Sequence, residues 1–156
     1  MDTPHRILCP TDFSECATDA ARYAVDLAAR LGARVTLLHV YMAPVYALPD
    51  GSSFIPGPQT LAELESGARR GLEALREKLA RPEVTIEVDT ADGPTAEMIV
   101  TTAGDEHYDL IVMGTHGRTG LRHLLLGSVA EKVVRTAGCP VLTVRATTHS
   151  EAHPQP

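Results

Sequence analysis

The sequence predicts an α/β domain built on a parallel sheet, with helices on both faces, and three observations carry that prediction. Short apolar segments alternate with stretches of helical period along the 156 residues. Asp109 to Met113 reads as a continuous apolar strand, the pattern of a parallel strand buried on both faces. Aromatic residues make up only 4% and there is no Trp, so the core must come from Ala, Val, Leu and Ile. That composition suits helices layered on a sheet.

Each element follows from local chemistry. Arg6 to Cys9 is a short apolar strand closed by Pro10. From Ser14 the period changes: Ala17, Ala20, Ala21, Ala24, Ala28 and Leu31 fall at helical spacing, Asp19, Arg22, Asp26 and Arg30 lie opposite, and Gly32 ends the helix. Arg34 to Tyr41 is a second buried strand. Residues 42–59 hold four prolines and two glycines and are expected to form a long loop. Thr60 with Glu63 makes a capping box for a helix running to about Ala80. Val84 to Thr90 alternates as a third strand. Gly93 and Pro94 open a third helix, with Pro at its first position. Asp109 to Met113 is the fourth strand, Ser128 to Ala137 a helix ending at Gly138, and Val141 to Val144 the fifth strand. The order β-α-β-α-β-α-β-α-β demands right-handed crossovers and helices on both faces.

Length and charge set further bounds. One domain is expected over residues 1–146, with 147–156 a polar, disordered tail that has nothing to bury. A formal charge of −6 and a pI near 5.6 argue against a nucleic-acid binder. No apolar run reaches the ~18 residues of a membrane span, and residues 1–4 carry no secretory leader. The three cysteines lack ligand-type spacing and read as free, buried thiols in a reducing, cytoplasmic setting.

The chemistry concentrates where the fourth strand ends. Gly114 and Gly117 are followed by nine residues and then Gly127 and Ser128, which open a helix. Glycines let the backbone approach a ligand closely, and the orphan N–H groups of a helix N-terminus favour an anion. Residues 114–135 contain Arg118, Arg122, Lys132 and Arg135 against Glu131 alone, a basic segment in an acidic chain that a phosphate ligand explains. His116 is the one histidine inside the motif, and a loop hydrogen-bonding role suits it better than proton transfer. His39 reads as a satisfied strand histidine. His116, His123 and Cys139 lack the compact spacing of a metal site. There is no G-x-x-x-x-G-K-[ST] loop, no G-x-G-x-x-G after the first strand and no G-x-S-x-G elbow.

At these residues the sequence resembles the ATP-binding branch of the universal stress protein family. Its signature, G-x-x-G, nine residues, then G-S or G-T, stands complete here. DLIVMGTHGRTG at 109–120, GSVAEKVVRTAGCPVLT at 127–143 and ILCPTDFSECA at 7–17 are similar to the family as well, so the resemblance covers about residues 5–146. It implies a Rossmann-like sheet of order 3-2-1-4-5, of the kind found in adenine nucleotide alpha-hydrolases, with a crevice off the carboxyl ends of the first and fourth strands. It implies ATP as ligand, with or without magnesium. Pro10, Thr11 and Asp12 would line the adenosine, Asp12 on the ribose hydroxyls. Val40 would meet the adenine through its backbone. Gly114, Thr115 and His116 belong to the same site, and Gly117, Arg118, Gly127, Ser128 and Val129 would hold the phosphates. The alternative role for Asp12 is turn formation or helix capping beside Ser14. The 42–59 loop departs from the shortest family pattern and could cover the site.

The resemblance also implies a homodimer paired through Val141, Leu142, Thr143 and Val144. Three functions are in competition: a nucleotide-dependent stress or signalling module, a slow ATPase or nucleotidyl-transfer enzyme, and a non-binding interaction protein. The complete motif favours the first, and the missing phosphate lysine and base count against the second.

Overall fold

A computed structural model describes residues 3–116 and 126–146. Its main sheet holds β1 (Arg6–Pro10), β2 (Arg34–Tyr41), β5 (Ile86–Asp92), β6 (Leu110–Gly114) and β7 (Val141–Val144) in the order β5-β2-β1-β6-β7, every pair parallel. Counted along this sheet alone, that order is 3-2-1-4-5. The two remaining strands, β3 (Tyr46–Ala47) and β4 (Ser53–Phe54), form a separate antiparallel hairpin.

Alternate strand residues feed two cores. Ile7, Cys9, Val35, Leu37 and Val112 pack under α1 (Glu15–Leu31) and α2 (Pro58–Leu79), whose buried residues include Ala21, Ala24, Leu72 and Leu75. Leu8, Leu38, Ile111 and Met113 face the other way, against Ile99 of α3 (Thr95–Asp105) and Val133 of α4 (Ser128–Thr136). Both faces are covered, which is why the strands carry apolar residues at successive positions. Cys9 is fully buried in this core, and that burial pushes its thiol up to about 12.

Helix α1 follows its sequence pattern closely. The Ser14 hydroxyl caps it by accepting the Ala17 N–H at 3.2 Å, and Gly32 ends it at φ 68°. Elsewhere long-range pairing moves the expected boundaries. Residues 42–59 are not a featureless loop: Leu48 N–H donates to the Ser52 carbonyl at 2.8 Å, closing the β3–β4 hairpin. Helix α2 starts at Pro58, so Thr60 lies inside it, the N-cap is Gly57, and no side chain caps it. The 60/63 capping box therefore does not form; Pro58, with its preset φ, begins the helix first. The third sheet strand begins at Ile86 because Val84 pairs locally with Arg81. Pro94 caps α3 rather than opening it. Residues 147–156 lie outside the described residues. Among the described residues no helix is long and apolar enough to cross a membrane.

Candidate functional site

The strand order reverses between β1 and β6, and a cleft of about 340 Å³ opens off their carboxyl ends. Pro10, Thr11, Asp12, Val40, Gly114, Thr115, His116, Gly127, Ser128 and Val129 all line it. Gly117 and Arg118 lie outside the described residues. Segments more than 100 residues apart in sequence thus meet at one cleft.

The wall from β1 is a tight turn. Asp12 Oδ1 accepts the Ser14 N–H at 3.0 Å, and Thr11 Oγ1 accepts the Phe13 N–H at 3.0 Å. Asp12 therefore forms the turn beside Ser14 and lines the cleft as well. Thr11 N–H donates to the Leu38 carbonyl at 2.8 Å, while on the far side Gly93 N–H donates to Tyr41 at 2.9 Å. Parallel pairing alternates sides residue by residue. By that alternation the N–H and C=O of Val40 face the β1 side, beyond the point where β1 ends. His39 Nδ1–H donates to the Thr11 carbonyl at 2.8 Å, so this histidine is satisfied within the strand layer.

The opposite wall is the start of α4. Gly127 N–H donates to the Thr115 carbonyl at 2.7 Å, and the first helical bond runs from Glu131 N–H to the Gly127 carbonyl at 2.8 Å. Gly127 has no side chain to cap the turn, so the first-turn amides at Ser128, Val129 and Ala130 precede any intrahelical bond. All three residues line the cleft. An uncapped helix start beside a cleft suits an anion.

The basic residues of α4 are used otherwise than charge counting suggested. Lys132 pairs with Glu97 of α3, and Arg135 with Glu131 at 3.5 Å, all on exposed surface. The Glu97 carboxyl is held below its ordinary range, chiefly by the Lys132 hydrogen bond. Both pairs lie on the outer face of the helices. His116 Nδ1 lies 3.0 Å from Thr115 Oγ1, a hydrogen bond between neighbouring residues at the end of β6.

This geometry has relatives. The model of the universal stress protein family matches residues 4–145. The chain belongs to the universal stress protein family. Universal stress protein MJ0531 of Methanocaldococcus jannaschii is 38% identical over 141 residues, covering 90% of this chain and 81% of that protein. Universal stress protein MJ0577 of the same organism is 32% identical over 152 residues, covering 90% of this chain and 94% of its own. The solved structure of MJ0577 superposes with a TM-score of 0.76 at 29% identity, over 94% of this chain and 99% of that one. A universal stress protein solved in complex with cAMP shares the fold at 23% identity and a TM-score of 0.65, over 94% and 100% of the two chains.

This universal stress protein also lines its cleft with Ala17, Leu38, Thr95, Ile99, Met113 and Ala130, none of them singled out from sequence. Leu38 lies inside β2 and Met113 next to the last residue of β6, strands whose ends were already implicated. Thr95 and Ile99 come from α3, far from any glycine motif, and only the crossover of that helix brings them here. No group of three or more His, Cys, Asp or Glu among the described residues could hold a metal ion.

Proposed function

We propose that this universal stress protein binds ATP in the cleft, with or without magnesium, and acts as a nucleotide-dependent stress and signalling module of the cytoplasm. The observation that carries this reading is the pairing of Asp12 with the uncapped Gly127–Ser128 helix start across one cleft at the switch point. Its volume falls in the usual small-molecule range of about 300–1,000 Å³. On the family resemblance, Asp12 takes the ribose hydroxyls, the Val40 backbone takes the adenine, and Gly127, Ser128 and Val129, with Gly117 and Arg118, take the phosphates. The sequence has no P-loop lysine and no lysine lines the cleft among the described residues, so turnover is expected well below the ~10 s⁻¹ typical of enzymes.

Calorimetric titration with ATP, ADP and dATP tests the reading. Wild type should bind ATP, and Asp12→Ala should weaken ATP more than dATP, because the lost contact is to the sugar. Arg118→Ala should cost about 1 kcal/mol or somewhat more, the scale of one charge-assisted hydrogen bond. A wild-type protein that takes up no ATP ends this reading.

The same reading includes a homodimer through β7. Ile111 N–H donates to the Pro140 carbonyl at 3.0 Å and Thr115 N–H to the Val144 carbonyl at 2.9 Å. By alternation, Leu142 and Val144 bond inward to β6 while Thr143 turns its N–H outward. Pairing with a second copy removes an apolar edge. Thr143→Pro should therefore leave the β6 ladder whole and shift the mass in light scattering from dimer to monomer. A wild-type monomer at micromolar concentration rules the pairing out.

A further inference from the structure

We propose that Phe13, seated on Gly71 of α2, is a positioning residue of the cleft that holds Thr11 and Asp12 in their ligand-facing turn; the inference rests on the ATP reading for its affinity test. Phe13 has φ at 64°, a left-handed conformation that a bulky residue keeps only where its surroundings hold it. Two contacts do so. Its ring packs on the His39 ring with centroids 4.6 Å apart. It also lies so close to α2 that a Cβ on Gly71 would stand 2.9 Å from Cζ and 3.1 Å from Cε1.

Gly71 is in the middle of a 22-residue helix, where glycine is a poor choice. Its neighbour Gly67 shows what an uncommitted helix glycine looks like: a Cβ there would meet only Arg70, at 3.8 Å. At Gly71 the missing side chain is the space the ring occupies.

The ring controls the turn through three hydrogen bonds. His39, which it covers, donates to the Thr11 carbonyl at 2.8 Å. Phe13 N–H donates to Thr11 Oγ1 and Ser14 N–H to Asp12 Oδ1, each at 3.0 Å. Thr11 and Asp12 line the cleft, and Phe13 does not. Any effect of Phe13 on the ligand therefore passes through those two residues.

The test uses Gly71→Ala, Phe13→Gly and the double variant, with two readouts. Alanine is the better helix former, so the first variant keeps α2 and adds only the methyl that meets the ring. Each single variant should lower ATP affinity about tenfold, the scale of one misplaced hydrogen bond to a charged group. It should lower dATP affinity less, narrowing the preference for the ribonucleotide. The double variant should be no worse than Phe13→Gly, because the methyl then has no ring to displace. Amide hydrogen exchange should speed up at Phe13 and Ser14 in both single variants. An unchanged ATP/dATP ratio with unchanged exchange at those amides overturns the proposal. So does an equal loss for both nucleotides, which is what loosened packing alone would give. Should wild type bind no ATP, the functional reading falls by itself, and the exchange rates still decide whether the ring holds the turn.

Discussion

The two ends of the sheet treat the same strands differently. At the amino ends, Asp109 Oδ2 accepts the N–H groups of His5 and Arg6, both at 2.8 Å. There the Arg6 guanidinium lies 4.6 Å from the Tyr108 ring centre and pairs with Glu106 at 3.5 Å. At the carboxyl ends, β1 stops at Pro10, β6 stops at Gly114, and α4 starts at Ser128 behind Gly127, which offers no side-chain cap. The amino end commits side chains to the backbone groups that the strands leave over. At the carboxyl end Thr11, Asp12 and His39 hold backbone groups of the β1 turn, but the start of α4 leaves its first-turn amides at the rim of a cleft. The difference teaches where to look for function: at the end where, among the described residues, a helix starts without a side-chain cap at the rim of a cleft.

The largest effect that could break this contrast is at Gly114. A Cβ there would lie 2.9 Å from Cys16 Sγ and 3.1 Å from the Cys16 carbonyl carbon and oxygen. Helix α1 cannot withdraw without leaving β6, so Gly114→Val should lower stability by about 3 kcal/mol, the upper part of the overpacking range, in urea unfolding. Nucleotide binding should go with it. Gly114 is thus a packing glycine beneath the cleft as much as a ligand-facing one.

Gly127 sharpens the comparison. Its Cβ would lie 3.1 Å from the Thr115 carbonyl, the group that already accepts the Gly127 N–H. Backbone φ there is −72°, so valine meets no conformational barrier. Gly127→Val should cost only about 1 kcal/mol of stability, the low end of overpacking, while abolishing ATP binding in calorimetry. A variant that binds ATP like wild type would remove the phosphate role from this helix start. One that loses as much stability as Gly114→Val would make both glycines structural.

What was legible in the sequence was local. Helix α1 could be read from Ser14 to Gly32 because its spacing, cap and stop all lie within its own residues. The glycine spacing pointed to the corner of the fold where the cleft opens, and it too is local. What was not legible depends on distant partners. The first residue of β5 is set by pairing with Val35, not by its own alternation. The β3–β4 hairpin has strands of two residues each, too short to show a period. Its turn, with Pro49, Asp50 and Gly51 at φ 84°, was nonetheless a readable signal. Thr95 and Ile99 reach the cleft only through the α3 crossover. Lys132 and Arg135 counted toward a basic segment that a phosphate would explain, and their pairing with the carboxylates of Glu97 and Glu131 appears only in the fold. Gly71 was the overlooked clue: an isolated glycine in a helical pattern marks a packing demand, and here the demand is the Phe13 ring.

The smallest effect belongs to the closed end and depends on pH. The two N–H donors from His5 and Arg6 hold the Asp109 carboxyl below its ordinary range. A carboxyl with a folded pKa below its unfolded one stabilises the fold above the ordinary carboxylate range, and that contribution is lost as pH falls through the folded value. Asp109 is exposed, so solvent screening limits the charge-dependent part to less than about 1 kcal/mol. Asp109→Asn keeps an oxygen that can accept both bonds and removes only the charge. Urea midpoints should therefore show the variant slightly weaker than wild type at neutral pH. The two should converge as pH falls below the ordinary carboxylate range, where the wild-type carboxyl gains its proton. Taking the difference between the proteins cancels the titration of every other carboxylate. A gap of the same size at both pH values would mean that shape rather than charge closes this end of the sheet. The contrast with the open end would then rest on geometry alone.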